Sequence, residues 1–192
     1  MTTIATPKTT TRALFLDRDG VINHEVDYLW QPEKATFVPG IGSLCRTAKS
    51  LGFKIIVVTN QAGIGRGLYT DAQFHAFMDW MRQTLEPEGV IFDAVYYCAH
   101  HPEHGLGEFK KDCQDRKPNP GMLLRAVREF NIDLAQSIFV GDRCSDVAAG
   151  NAAGIGRMFF MQGTETTDCK GAYTPITSLA TVEQALLLPP TA

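Results

Sequence analysis

The sequence predicts an α/β fold in which one parallel sheet carries helices on both faces. Three observations predict it: five short runs apolar at nearly every position, stretches of helical period between them, and a strict alternation of the two. Parallel neighbours need right-handed crossovers, and few other topologies satisfy that alternation. In such sheets ligands bind beyond the carboxyl ends of the strands, so the residues that follow each strand are the ones to read for chemistry.

Strands are expected at residues 13–17, 54–59, 94–98, 137–141 and 157–161. Pro39 starts a helix that closes before Gly52, with Ile41, Leu44, Cys45 and Ala48 on one stripe. Thr70 with Gln73 three residues on forms a capping box, and the helix it opens has an apolar face of Phe74, Phe77, Met78, Met81 and Leu85. Asn119 and Pro120 start a third helix that turns Leu123, Val127 and Phe130 inward and stops at Asn131. A fourth, rich in small residues, covers 145–153 and ends at Gly154, and a last one at 181–187 caps the fold. Gly63, Gly65 and Gly67 read as a flexible loop of phosphate size. Only short segments separate the first strand from the second, so no large cap domain is inserted there.

A chain of 192 residues, 44% apolar and 20% charged, suits one domain with a full core. Residues 1–11, rich in Thr and without periodicity, read as a disordered leader, with a single domain over 12–192. A net charge of -3 offers no field for a polyanion, so nucleic acid is not an expected partner, although local charges would hold a small anion. No apolar run approaches the roughly 18 residues that span a bilayer, and MTTIATPKTTT lacks an export signal's apolar stretch. A cytoplasmic monomer with no membrane partner is expected. The five cysteines are an odd, scattered set expected to stay reduced, with Cys144 filling a turn. Trp30 and Trp80 read as packing, Trp30 lying close to the loop that follows the first strand.

The strand ends carry the chemistry. The first strand ends in Asp17 and Asp19, the second in Thr59-Asn60-Gln61, and the fourth in Gly141-Asp142 with Asp146 just beyond; Arg116-Lys117-Pro118 precedes the third helix. Singly these are weak: an Asp after a strand commonly caps a helix or turn, and Lys117, Arg18 and Arg143 read as solvated surface charges. Jointly they supply carboxylates for Mg²⁺ and a hydroxyl with cations for phosphoryl oxygens. Asp17 and Asp19 would repel each other unless a cation lies between them.

FLDRDGVIN, VVTNQ, RKPNPG and VGDRCSD resemble the four signature segments of the haloacid dehalogenase (HAD) superfamily of aspartate-nucleophile phosphatases, over residues 12–165. Within it, DRDGVIN with the loop to Tyr28, TNQAGIGRG, YYCAHHPE and CQDRKPNPGML resemble the heptose bisphosphate phosphatase branch, which also houses histidinol-phosphatase domains. The resemblance implies a three-layer Rossmann-like fold around a parallel sheet of about five strands. It implies Asp17 as nucleophile and Asp19 as general acid and base, protonated when attack occurs, with Thr59 and Lys117 on the transferring phosphoryl oxygens. Mg²⁺ would be held by Asp17, Asp142 and the backbone carbonyl of Asp19. Substrate contacts are implied at Glu25, Val26, Asp27, Tyr28, Asn60, Gln61, Ala62, Arg116 and Arg143, the last commonly a Lys in this branch.

The implied reaction removes the C7 phosphate of D-glycero-D-manno-heptose 1,7-bisphosphate, for lipopolysaccharide-core or surface-glycan precursors. Histidinol phosphate is the alternative substrate. A phosphoacceptor signalling module of the receiver type shares the acids, Thr and Lys, but it places the accepting Asp after its third strand and its Lys last. Here the third strand ends in Tyr97-Cys98, and Lys117 precedes Asp142.

CAHHPEHGLGEFKKDCQD, residues 98–115, is the loop in which the family carries structural zinc on Cys-x-His and Cys-x-Cys. Cys98, His100 and Cys113 match that pattern. Asp115, which can itself ligate zinc, stands where the fourth ligand, a Cys, is expected, with His101 or His104 as substitutes, so weaker zinc binding is expected.

Overall fold

Ala13–Leu16 (β1) is buried at all four positions and lies inside a six-stranded sheet. The computed structural model describes residues 10–163 and 168–188; of the expected leader, residues 1–9 lie outside the described residues. The other strands are Lys54–Asn60 (β2), Ala94–Cys98 (β3), Ile138–Gly141 (β4), Arg157–Met161 (β5) and Thr174–Ile176 (β6). All pair in parallel, in the order β3-β2-β1-β4-β5-β6. The chain winds outward from β1 to β3, returns to β4 and winds the other way. The reversal falls between β1 and β4, where crossovers diverge and a crevice opens at the strands' carboxyl ends. Leu16 pairs with both Val57 and Val140, so β1, β2 and β4 end nearly level and deliver Asp17, Thr59 and Asp142 to one edge.

The helices are Ile41–Ser50 (α1), Ala62–Gly65 (α2), Asp71–Leu85 (α3), Gly121–Phe130 (α4), Cys144–Ala153 (α5) and Leu179–Leu187 (α6). The side-chain period of two along the strands sorts the core into two layers. Leu14, Leu16, Ile55 and Val57 pack with the apolar faces of α1, α3 and α6, including all four expected stripe residues of α1 and all five of α3. Ala13, Phe15, Ile56 and Val58 face Met122, Leu123 and Ala126 of α4 and Val147 and Ala149 of α5. Phe15 meets Phe139 edge-on, with centroids 6.4 Å apart. The Thr70–Gln73 capping box is present, Thr70 accepting the Gln73 N–H at 3.2 Å. Asn131 and Gly154 end α4 and α5 in the left-handed conformation.

Three features depart from the sequence reading. β6 adds a sixth strand: it has three residues, includes Pro175 and lies at the sheet edge, where a missing N–H costs no ladder bond. The glycine run at 63–67 is not a flexible loop. Ala62–Gly65 forms a helical turn, and a Cβ at Gly63 would stand 2.2 Å from the Tyr69 ring, one at Gly65 2.3 Å from the Ala99 carbonyl. Glycine is there because neighbours close in. The third departure is covalent: Cys144 at the start of α5 is disulfide-bonded to Cys169, so the expectation that all five thiols stay free is wrong. Cys45, Cys98 and Cys113 are free.

Candidate active site

The crevice at the β1–β4 reversal is a cavity of about 540 Å³, lined by Asp17, Arg18, Asp19, Thr59, Lys117 and the loops around them. Asp17 follows β1 directly, its N–H bonded to the Val140 carbonyl at 3.0 Å, which ties the two strand ends together. Its Oδ1 accepts the Arg18 N–H at 2.7 Å and lies 3.0 Å from Lys117 Nζ. Lys117 Nζ also contacts Asp146 Oδ1 at 2.6 Å and donates to the Val58 carbonyl at 2.9 Å. Burial works to strip the Lys117 proton, but Asp146 and Asp17 hold it, and the pKa is raised. Burial pushes the Asp17 carboxyl up to about 7 against the pull of Lys117, with Asp146 and Asp19 adding to the rise.

Asp146 has two tasks. Its Oδ2 accepts the N–H groups of Asp142 and Arg143, at 3.1 and 3.0 Å, at the entrance to α5, while Oδ1 faces Lys117. Carboxylate oxygens of Asp17, Asp142 and Asp146 lie within 4.8 Å of one another, all three buried. Hard oxygen donors so grouped fit a divalent ion such as Mg²⁺. Asp146 joins this group beyond the two acids expected from the sequence. Gly20, at φ +79, brings the β1 turn against the same cluster, since a Cβ there would lie 2.1 Å from Asp142 Oδ2.

Thr59 is buried, and its Oγ1 accepts from Gln61 Nε2 at 2.8 Å, which leaves the hydroxyl proton to an oxygen in the cavity. Gln61 Nε2 also reaches Asp19 Oδ2 at 3.2 Å, and Tyr69 donates to Gln61 Oε1 at 2.5 Å. Asn60 lines the cavity but spends its amide on the Lys117 peptide, accepting from its N–H at 3.1 Å and donating to its carbonyl at 3.0 Å. Glu25, Asp27, Tyr28, Ala62, Arg116 and Arg143 line the mouth. Val26 is the exception among the expected loop residues and packs against the core. Glu25 pairs with Arg143 at 3.4 Å, and burial with the nearby Asp19 charge raises its pKa over the opposing pull of Arg143. Trp30 packs against the core and is not among the lining residues. Arg18 and Tyr69 are lining residues the sequence reading did not assign. Arg18 was signalled only by its place between the two acids, and Tyr69 by nothing local.

Beside the cavity, donor atoms of Cys98, His100 and Cys113 lie within 4.8 Å of one another, and Cys98 Sγ stands 3.6 Å from His100 Nδ1. Two sulfurs and an imidazole are a zinc-type donor set. Burial raises the Cys98 thiol to about 12, so a metal bound there would displace a proton. Asp115 is not in the group: its carboxylate pairs with Arg125 at 3.1 Å. His101 Nδ1 instead accepts the N–H groups of Glu103 and His104. Arg116 donates to the His100 carbonyl at 3.0 Å, which couples this loop to the cavity wall.

A doubly wound parallel sheet with clustered acids, a threonine and a buried lysine at the β1–β4 reversal defines a HAD-like hydrolase. A HAD-hydrolase-like family model matches residues 114–184. A D-glycero-alpha-D-manno-heptose-1,7-bisphosphate 7-phosphatase of Burkholderia mallei is 52% identical over 145 residues, 76% of this chain and 77% of that protein. A D-glycero-beta-D-manno-heptose-1,7-bisphosphate 7-phosphatase of Escherichia coli is 44% identical over 144 residues, 75% of each. Among solved structures, the D,D-heptose 1,7-bisphosphate phosphatase from B. bronchiseptica, complexed with magnesium and phosphate, matches with a TM-score of 0.77 at 30% identity, covering 92% of this chain and 98% of that one. The chain belongs to the heptose bisphosphate phosphatase family of HAD-like hydrolases, and is a phosphoric monoester hydrolase.

Proposed function

We propose that the protein removes the C7 phosphate of D-glycero-D-manno-heptose 1,7-bisphosphate through an aspartyl-phosphate on Asp17. The observation that carries this reading is Lys117 Nζ at 3.0 Å from Asp17 Oδ1, beside Thr59 in a cavity of about 540 Å³. The Asp17 carboxylate attacks phosphorus while the leaving alkoxide takes a proton from Asp19. Water then attacks the same phosphorus and gives its proton to Asp19, so the free alcohol and inorganic phosphate leave and Asp17 is restored. Lys117 and the Thr59 hydroxyl bind the phosphoryl oxygens throughout, contacts of the kind whose loss costs on the order of 3 kcal/mol in barrier.

Asp17, Asp142 and the Asp19 carbonyl would hold Mg²⁺, with Asp146 beside them and paired to Lys117. The ion supplies positive charge that lets a carboxylate approach a phosphate dianion. Arg116 and Arg143, with Glu25, Asp27 and Tyr28, would bind the sugar and its second phosphate at the mouth. Cys98, His100 and Cys113 would hold a structural zinc with three protein ligands, which would stiffen the loop that presents Arg116 and Lys117. Among the described residues no helix is long and apolar enough to cross a membrane.

The test is a phosphate-release screen with Mg²⁺ on both anomers of the heptose bisphosphate, histidinol phosphate and nucleotides, using wild type and Asp17→Asn. The heptose bisphosphate is expected to lead in kcat/KM, and the variant to lose turnover by about four orders of magnitude or more while staying folded. Activity retained by Asp17→Asn would remove it as nucleophile, and preference for histidinol phosphate would reassign the substrate.

A further inference from the structure

Arg18 lies between the two acids and is buried, with 1% of its surface exposed. Its guanidinium carbon stands 5.2 and 5.9 Å from the ring centroids of Phe77 and Phe74 in α3, and Nη2 donates to the Leu29 carbonyl at 2.9 Å. Nε and the same Nη2 face Asp19, while the buried Nη1 has no hydrogen-bond partner among the described residues. Nε lies 3.1 Å from both carboxylate oxygens, and Nη2 lies 2.8 and 2.7 Å from them. Asn23 Nδ2 at 3.0 Å and Gln61 Nε2 at 3.2 Å complete the shell around that carboxylate. Among the described residues Asp19 is the one ion-pair partner of Arg18. Withdrawing a guanidinium from water is costly, and here the return is a single carboxylate held by two parallel bonds.

We infer that Arg18 is a positioning residue: it fixes the Asp19 carboxyl where it exchanges a proton with the departing oxygen, while Gln61 ties that carboxyl to Thr59. The inference rests on Asp19 being the general acid proposed above. Tyr69, bonded to Gln61 Oε1, sets which end of the amide faces Thr59 and Asp19. In the step concerned, the bond from phosphorus to Asp17 forms as the ester P–O bond breaks, and the alkoxide oxygen keeps the electron pair and takes the Asp19 proton.

A sugar alkoxide leaves poorly without that proton, whereas p-nitrophenolate leaves readily, and kcat/KM reports this step rather than the later hydrolysis. The experiment compares Arg18→Gln, Arg18→Lys and Asp19→Asn on heptose bisphosphate and p-nitrophenyl phosphate. Asp19→Asn and Arg18→Gln are expected to lose about 100-fold or more in kcat/KM on the sugar ester and under about 5-fold on the nitrophenyl ester. Arg18→Lys, which keeps the charge but not the fork, is expected to regain part of the sugar-ester loss. An equal loss on both esters by Arg18→Gln, with Asp19→Asn still selective, overturns the role of Arg18 and leaves the acid in place. Unselective loss by Asp19→Asn overturns the acid assignment, and this inference with it. Should Arg18→Gln not fold, Arg18→Lys decides: selective loss on the sugar ester supports the inference, and equal loss or none overturns it.

Discussion

Lys117 Nζ stands 2.6 Å from Asp146 Oδ1, with both side chains closed off from solvent. This contact joins the loop before α4 to the first turn of α5, and it places a cation between Asp146 and Asp17. Lys117→Met would leave two carboxylates facing each other without it. The expected outcome is a stability loss of about 3–5 kcal/mol in urea unfolding, as for other broken buried pairs. Turnover should fall by about 100-fold or more. Wild-type turnover in a folded Lys117→Met protein would take Lys117 out of the phosphoryl site.

Magnesium binding should be linked to a proton on Asp17. Its folded carboxyl is raised from 3.8 to about 7 by burial, so in the metal-free protein the group's contribution to stability is present below about pH 4 and lost as pH rises through about 7. Mg²⁺ needs the carboxylate, so binding near pH 6 expels about one proton and binding near pH 8 almost none, and affinity weakens on acidification. Titration calorimetry in two buffers of different ionisation enthalpy counts the protons. An equal count at the two pH values would show that the Asp17 carboxyl does not change its protonation between them.

The Cys144–Cys169 bond closes a loop across a sequence separation of 25. A tie of that span stabilises by about 3 kcal/mol, chiefly by restricting the unfolded chain. Denaturant midpoints should drop in dithiothreitol and in Cys144→Ser, and the two losses should not add. A midpoint indifferent to reductant would mean that these thiols stay apart in solution.

Asp115→Cys should bring a third thiolate to the Cys98, His100 and Cys113 group and raise zinc retention against a chelating dye. The change gives up only the partly exposed Arg125 pair, about 1 kcal/mol or less. Unchanged retention would show that the loop backbone holds position 115 away from the metal.

Much of this molecule is legible in the sequence, for a specific reason. Buried parallel strands are apolar at nearly every position, so the first polar residue after each one marks the sheet edge; Asp17, Thr59 and Asp142 are found that way. What stays hidden depends on distant partners. Arg18 reads as a surface charge because its burial is made by Phe74 and Phe77, more than fifty residues along the chain. Gly63 and Gly65 read as slack because nothing local announces Tyr69 or the Ala99 carbonyl. β6, with three residues and a proline, has no period to detect. Cys144 and Cys169 are joined by the packing of α5 against the segment beyond β5, and counting cysteines does not reveal which two meet.

The contact between the Gly20 backbone and the Asp142 carboxylate has an evolutionary corollary. With φ at +79 and a Cβ position 2.1 Å from Asp142 Oδ2, position 20 admits no side chain without displacing an acid of the proposed magnesium site. In a saturation library selected for activity, substitutions at this residue, which would carry no reacting group, are expected to vanish as completely as those at the proposed nucleophile Asp17.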